Sequence, residues 1–498
     1  MSAQPQPIKT CDTARRTPGV EPFLHPDVSR ALQNADFIYQ LKAQHHGPIH
    51  AIFPHIMREN IRRMQDFFAQ YAFETKIHYT CKPNKSKVFI REAFQNGLNI
   101  DVSSAEELTT ALSVGFHGRD IGCTNLKNGH YLRLALEHGC LISVDNFSEL
   151  QSIAALHGTM RYKQKTRVLI RLSDLKPKDR QMVPKISKFG TSEADLPVLI
   201  DYILAHPDVF DFQGLHFHHD NPLADLHAGY IDHALTLMEN IDAKYRSPSR
   251  LLNIGGGMRV PNVADPKEWS AFIEHMLQGV SDNLDTGTWN NKAYGMKLSD
   301  KGKVEGRHQL EARGKAQYYT FFLAEVLNNN RLRGHPLHRI ISDNLLTLVV
   351  EPGASLLGHA GFTILRVNGT KRLANCDNAV FVDGNIYNIS NQFMEPLTDF
   401  IHVPHTPKPN AAPYDAYIID NLCNERGVMS AKCMYFAQQP EEGDLMIVPN
   451  TAAYLSDFED ASPHMHPQGK KIVVAPTENG GFSFYDETYY GQFVQSLA

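Results

Sequence analysis

The chain is 498 residues long, 42% hydrophobic and 21% charged, with a formal net charge of −5. That length supports two or three domains with a sizeable core, and the composition is that of an ordinary globular protein. The mild negative charge argues against a nucleic-acid partner or a polybasic membrane anchor, and no run has the length and apolarity of a membrane span.

The opening stretch, MSAQPQPIKTCDTARRTPGV, has no apolar core followed by a small-residue cleavage site, so we expect no secretory signal. Cysteines at 11, 81, 123, 140, 376, 423 and 433 form no CxxC pair and no regular spacing, which argues against a disulfide scaffold or a zinc site. A reducing, cytoplasmic setting is expected. His464 and His466 lack the spacing of a metal motif and read as surface histidines.

Eight short β-like runs follow one another. They are Ile77–Cys81, Leu98–Val102, Asp120–Cys123, Cys140–Val144, Arg167–Leu172, Phe212–Phe217, Leu251–Ile254 and Leu346–Val350. Helical patterns separate them: SKVFIREAFQNG, SAEELTTALSVG, NGHYLRLALEHG and NFSELQSIAALHG, each closing on glycine. Strand–helix alternation implies parallel strands, and eight units imply a (β/α)8 barrel rather than an open doubly wound sheet.

In such barrels chemistry sits where strands end. The first run ends in HYTCKPNKS, with Lys82 at the end of a strand that reads as buried. An uncompensated buried ammonium costs several kcal/mol, so the lysine is expected to be neutralised or used covalently. Asp101 lies in the second run, and His216 and His218 end the sixth. Gly255, Gly256 and Gly257 follow the seventh, where backbone N–H groups can close on a phosphate. Glu351 follows the eighth. A lysine, a phosphate cradle, an imidazole and a carboxylate are what pyridoxal phosphate requires: a Schiff-base amine, anion donors, a stacking ring and a partner for the pyridine nitrogen.

These motifs resemble those of the fold-type III pyridoxal phosphate-dependent decarboxylases, the ornithine, arginine and diaminopimelate decarboxylases. YTCKPNKS resembles the family's Y-x-x-K-x-N, NIDVSSAEEL its D-[VC]-x-S-x-x-E, and ISKFG its K-F-G. GLHFHHD resembles G-L-H-F-H-x-G-S, NIGGGM resembles D-I-G-G-G-F, and VVEPGAS resembles E-P-G-R. NLCNE and EGDLMIVPNTAAY resemble the cysteine loop and the G-A-Y segment. The resemblance covers roughly residues 45–460. It implies an alanine-racemase-like TIM barrel plus a C-terminal antiparallel β domain. It assigns Lys82 to the Schiff base, Glu351 to the pyridinium nitrogen and His218 to ring stacking. Gly255, Gly256, Gly257, Asn221 and Tyr454 would hold the phosphate. Cys423 would reach the partner subunit's site in a homodimer and reprotonate the carbon that loses CO2. Asp101 and Glu107 would lie near the lysine loop.

Residues 1–45 are expected as an extension packed with the β domain, 46–354 as the barrel with an insertion near 283–318, and 355–498 as the β domain. The insertion reads as a surface excursion or as a lid. Three places depart from the family. Its E-P-G-R arginine is Ala354 here, and Arg259 is the candidate replacement. H-x-G-S becomes HHDN, where Asp220 should point away from the phosphate and Asn221 can still donate. The loop after the cysteine is CNERG, so Asn424, Glu425 and Arg426 offer both signs of charge to a diamino or carboxylate-bearing amino acid. Two alternatives are an amino-acid racemase or epimerase and a non-catalytic regulatory homologue.

Overall fold

The computed structural model describes residues 17–160, 164–175, 187–220, 223–246, 248–306, 314, 316–375, 377–389, 396–458 and 462–490. Two compact units divide the chain.

One unit comprises Pro54–Val260 and Gln317–Gly358. It holds a closed barrel of eight strands. In chain order these are β1 (Thr75–Thr80), β2 (Asn99–Val102), β3 (Ile121–Cys123), β4 (Leu141–Val144), β5 (Thr166–Leu172), β6 (Phe210–Phe217), β7 (Leu251–Asn253) and β8 (Thr347–Val350). Each pairs in parallel with its neighbours, and β8 closes on β1. The strands lie where the sequence places them, with ends moved by a residue or two.

Polar caps start the intervening helices. Ser86 Oγ accepts from the Val88 N–H to open Lys87–Gln95, and Ser104 Oγ accepts from the Glu107 N–H to open Ala105–Val114. Asn128 and Asn146 cap Gly129–Glu137 and Phe147–Thr159 in the same way. The last helix runs through Gly158 rather than stopping there, because nothing at that position requires left-handed backbone.

Leu141, Leu169, Leu251 and Val349 form one buried apolar cluster. Strand side chains alternate faces, so the residue two further along each strand shares that face. Those residues are Ser143, Arg171, Asn253 and Glu351. An apolar plug thus gives way, one tier toward the strand C-termini, to a polar layer.

The other unit comprises residues through Phe53, Pro261–Ala316 and His359 onward. Its nine-stranded sheet runs Met434–Phe436, Tyr414–Ile419, Asn378–Val382, Gly361–Arg372, Ile49–Ile52, Lys470–Pro476 and Phe482–Asp486, with Leu445–Pro449 and Ile401–Val403 paired alongside. Its pairings are antiparallel except for Ile49–Ile52 with Lys470–Pro476 and Asn378–Val382 with Tyr414–Ile419. Thirteen residues, among them Leu365, Val380, Ile418, Phe436 and Val448, form its core.

Two expected boundaries move. Ile49–Ile52, placed with the barrel in the sequence reading, is a central strand of this sheet. A four-residue run of buried side chains carries no local signal of which sheet it joins. The stretch expected as an insertion in the barrel belongs to the sheet unit. Trp269, Phe272, Met276, Ala293 and Met296 pack there with Val20. The Trp289 N–H donates to Ala431 O and the Cys433 N–H to Gly287 O, at 2.7 and 2.9 Å.

Candidate active site

Lys82 directly follows β1 and its neighbour Cys81. The backbone there is pinned on both sides: the Thr80 N–H donates to Pro352 O and the Cys81 N–H to Asp101 O, each at 3.2 Å. Thr80 Oγ1 donates to Glu351 O at 3.1 Å. Below, the buried Tyr79 hydroxyl donates to Asn84 O at 2.8 Å, and Asn84 Oδ1 accepts from the Ser86 N–H. The sequence reading expected a buried lysine. Its neighbours Cys81, Pro83 and Asn84 are buried, but the lysine side chain itself is exposed and pays no desolvation cost.

Glu351, 8% exposed, sits one residue beyond β8. Asn253 Nδ2 donates to its Oε1 at 2.7 Å, and His216 Nε2 lies 3.5 Å from the same oxygen, too far for a hydrogen bond. Burial alone would raise this carboxyl. His216, His218 and Asn253 outweigh it and hold Glu351 well below the ordinary carboxylate range. His216 is anchored on its other side, with Nδ1 2.6 Å from Ser143 Oγ.

Asp101 is 3% exposed, and its Oδ1 has no hydrogen-bond partner among the described residues. Burial, then the Glu351 charge, push its carboxyl well above the usual range, while Thr124 and Lys82 pull the other way. His78, buried on β1 and pushed down to about 4 by burial, completes this cluster. Glu107, expected near the lysine loop, accepts from the Ser103 N–H at 2.7 Å and tightens the turn after β2.

His218 follows β6. Its Nδ1 accepts from the Gly256 N–H at 3.0 Å, and burial pushes the ring down to about 4, so it is neutral. The three glycines make a close turn. A Cβ on Gly255 would fall 2.7 Å from His218 Nδ1, and one on Gly256 would fall 2.6 Å from Glu351 O. Gly255 and Gly257 have φ of +67° and +84°, which favour glycine. The expected cradle is narrower than three N–H groups, because Gly255 donates to Asn253 Oδ1 and Gly256 to His218. Gly257 donates to no described residue. Beside it, Arg259 Nη2 pairs with Asp220 Oδ1 at 2.9 Å. Asp220 therefore does turn to a cation rather than stand alone. Asn221 lies outside the described residues.

Cys423, Asn424, Glu425, Arg426 and Tyr454 belong to the sheet unit. Cys423 is exposed on a tight loop. Buried Asp420 organises it: Oδ1 accepts from the Leu422 N–H at 3.0 Å, and a Cβ on Gly427 would fall inside the Asp420 carboxylate. Asn424 Oδ1 accepts from the Arg426 N–H at 2.9 Å. Tyr454 is half-buried with φ of +65°, a conformation that costs a bulky residue about 1–3 kcal/mol.

Sequence reasoning passed over His78, Ser143, Arg171 and Asn253. Strand alternation could have found them, since each shares a face with a neighbouring site residue or with the apolar plug.

The pyridoxal binding domain of the pyridoxal-dependent decarboxylases matches residues 57–291. Over 93% of this chain and 95% of the relative, the sequence is 26% identical to the uncharacterized protein y4yA of Sinorhizobium fredii. It is 24% identical to the diaminopimelate decarboxylase of Bacillus subtilis, over 70% of each chain. The chain carries the pyridoxal binding domain of these enzymes, and its relatives support a fold-type III pyridoxal phosphate-dependent decarboxylase family. A diaminopimelate decarboxylase structure from M. jannaschi shares the fold, with a TM-score of 0.65 at 15% identity, over 89% of this chain and 90% of that one. This decarboxylase is therefore an enzyme, an amino-acid carboxy-lyase that uses pyridoxal phosphate. Its residues fit that cofactor: an exposed lysine, an ionised carboxylate, a neutral flat ring, and a glycine turn that any Cβ would fill.

Proposed function

We propose that this decarboxylase acts on a diamino or carboxylate-bearing amino acid, with Lys82 as the residue that bonds the cofactor. The observation that carries this reading is the meeting of exposed Lys82, ionised Glu351, neutral His218 and the glycine turn at the strand C-termini of one barrel. When bound, pyridoxal phosphate supplies an electron sink for the pair left as the α-carboxylate departs as CO2.

Lys82 Nζ would be the amine that holds the cofactor at its carbonyl carbon, the carbonyl oxygen leaving as water. Glu351 holds a proton on the ring nitrogen, and its depressed pKa keeps it negative for that task. His218 offers a neutral face to the ring. Gly257 and Arg259 bind the phosphate, with Gly255 and Gly256 shaping the turn, and Asn221 and Tyr454 complete the set. Asp101 faces the substrate beside Lys82. Cys423 Sγ or Lys82 Nζ gives the proton that replaces CO2. Cys423 does so in the partner subunit's site of a cytoplasmic homodimer, where Asn424, Glu425 and Arg426 meet the far end of the substrate. Exposure of the Cys423 loop in the single chain supports that arrangement. Among the described residues no helix is long and apolar enough to cross a membrane.

Mass spectrometry after incubation with L- and D-amino acids in D2O tests this reading. We expect loss of CO2 with one deuterium gained from one class of diamino or carboxylate-bearing substrate, and none from Lys82→Ala. Deuterium at the α-carbon with the carboxylate retained would make the protein a racemase or epimerase and overturn the role given to Glu351.

A further inference from the structure

Asn253 ends β7 and is 3% exposed. Both ends of its amide are used. Oδ1 accepts from the Gly255 N–H at 2.9 Å, and Nδ2 donates to Glu351 Oε1 at 2.7 Å. The Gly255 N–H can only donate, so it fixes which end of the amide is oxygen. Nδ2 must then face Glu351. Backbone bonds reinforce the join: the Ile254 N–H donates to Val349 O at 3.0 Å, and the Glu351 N–H to Gly255 O at 2.9 Å.

We propose that Asn253 is a positioning residue that ties the glycine turn to Glu351 and keeps that carboxylate an acceptor. The proposal rests on the reading that Glu351 serves the cofactor's ring nitrogen. An amide N–H donated to a carboxyl oxygen is stronger to the anion than to the acid, so it favours the ionised form. Both Asn253 and His216 address Oε1, and no described residue donates to Oε2. Oε2 is thereby left as the acceptor for a ligand.

The family motif quoted above has aspartate at this place. A second carboxyl within hydrogen-bond distance of Oε1 would share a proton with Glu351, and the pair would titrate together at higher pH. Asparagine satisfies the same Gly255 N–H while removing that charge. The groups facing Glu351 from the surrounding strands are His78 on β1, Asp101 on β2, His216 on β6, His218 just beyond it, and Asn253 on β7. Asn253 alone is a neutral donor within bonding distance.

The test is the visible absorbance of the bound cofactor in holoenzyme from pH 5 to 8. Wild type should show a flat acid side. Asn253→Asp should show a transition displaced upward by about one pH unit or more. In a Glu351→Gln background the same substitution should add no transition. Identical titrations of wild type and Asn253→Asp would overturn the proposal. Should Asn253→Asp fail to fold, Asn253→Ala decides in its place: losing the donor should shift the transition in the same direction, and no shift overturns the idea. Failure of wild type to take up pyridoxal phosphate would instead overturn the cofactor-site reading. The infrared carboxylate band of 13C-glutamate-labelled protein, compared across the same variants, would then still report whether Asn253 keeps Glu351 ionised.

Discussion

In the sheet unit, deeply buried cations sit against carboxylates. Lys42 Nζ lies 2.8 Å from Asp383 and also donates to the Gly47 carbonyl at 2.6 Å. Buried Lys432 pairs with Asp399, and half-buried Lys471 with buried Asp457. At the barrel mouth, His78 Nδ1, Asp101 Oδ1 and His216 Nε2 are buried without a hydrogen-bond partner among the described residues. The barrel has a matched buried pair of its own, Lys127–Glu149 at 3.2 Å, and unpartnered buried atoms also occur away from the mouth, as at His157 and His227. Matched buried charges hold a fold in register; unpartnered buried polar atoms keep bonding capacity for something that is not protein.

The contrast can be broken from either side. Lys82→Ala should lower turnover at least about a thousandfold, because it removes the group proposed to bond the cofactor. Its melting temperature should match wild type, since the side chain is exposed. Turnover within tenfold of wild type would remove Lys82 from the mechanism. In the sheet unit the effects should reverse. Asp383→Ala leaves Lys42 buried without its carboxylate and should cost about 3 kcal/mol in urea denaturation. A loss under about 1 kcal/mol would mean the backbone carbonyls around Lys42 suffice.

Protons sharpen the comparison. An unfolded chain protonates His78 near pH 6.5, but the folded ring does so only at about 4. The unfolded state therefore binds more protons in that window, and stability falls as pH falls through it, by about 3 kcal/mol for this one ring. Glu351, depressed in the fold, adds a loss of the same sign at still lower pH. His78→Phe should flatten the first limb of a stability–pH curve, and an unchanged limb would assign it elsewhere.

Two smaller effects complete the series. Arg259→Ala should weaken pyridoxal phosphate binding about tenfold, the scale of one charge-assisted bond, as read by fluorescence titration. Asp220→Asn should tighten it slightly by releasing the guanidinium. Unchanged affinity in both would mean that nothing replaces the family arginine missing at Ala354. Asp101→Asn should leave stability within about 1 kcal/mol of wild type or raise it, because the carboxyl it replaces is disfavoured as an anion. Activity should still fall, which would separate the residue's function from its place in the fold.

Most of the barrel was legible because its signals are local. β-branched runs mark the strands, and polar N-caps mark the four helices from Lys87 to Thr159, without reference to the rest. Lys82, His218, Gly255–Gly257 and Glu351 were legible because strand ends place them. What escaped depends on partners distant in sequence. Ile49–Ile52 joins a sheet through strands that begin at Gly361 and Lys470. The 261–316 segment packs through Trp269 and Phe272 against Val20. Asn253 reads as one polar residue before a glycine turn, and only Glu351, on the adjacent strand, gives it meaning.

The Cys423 loop has fixed ends and a free middle. Asp420 and Gly427 fit so closely that neither leaves room for change, whereas Asn424, Glu425 and Arg426 are exposed. Such a loop behaves as an exchangeable cassette. If Glu425 and Arg426 meet the substrate as proposed, they can be exchanged to retune which amino acid is accepted, while Asn424, which accepts from the Arg426 N–H, keeps the spacing that presents Cys423. A library confined to the Glu425 and Arg426 codons would test that role directly.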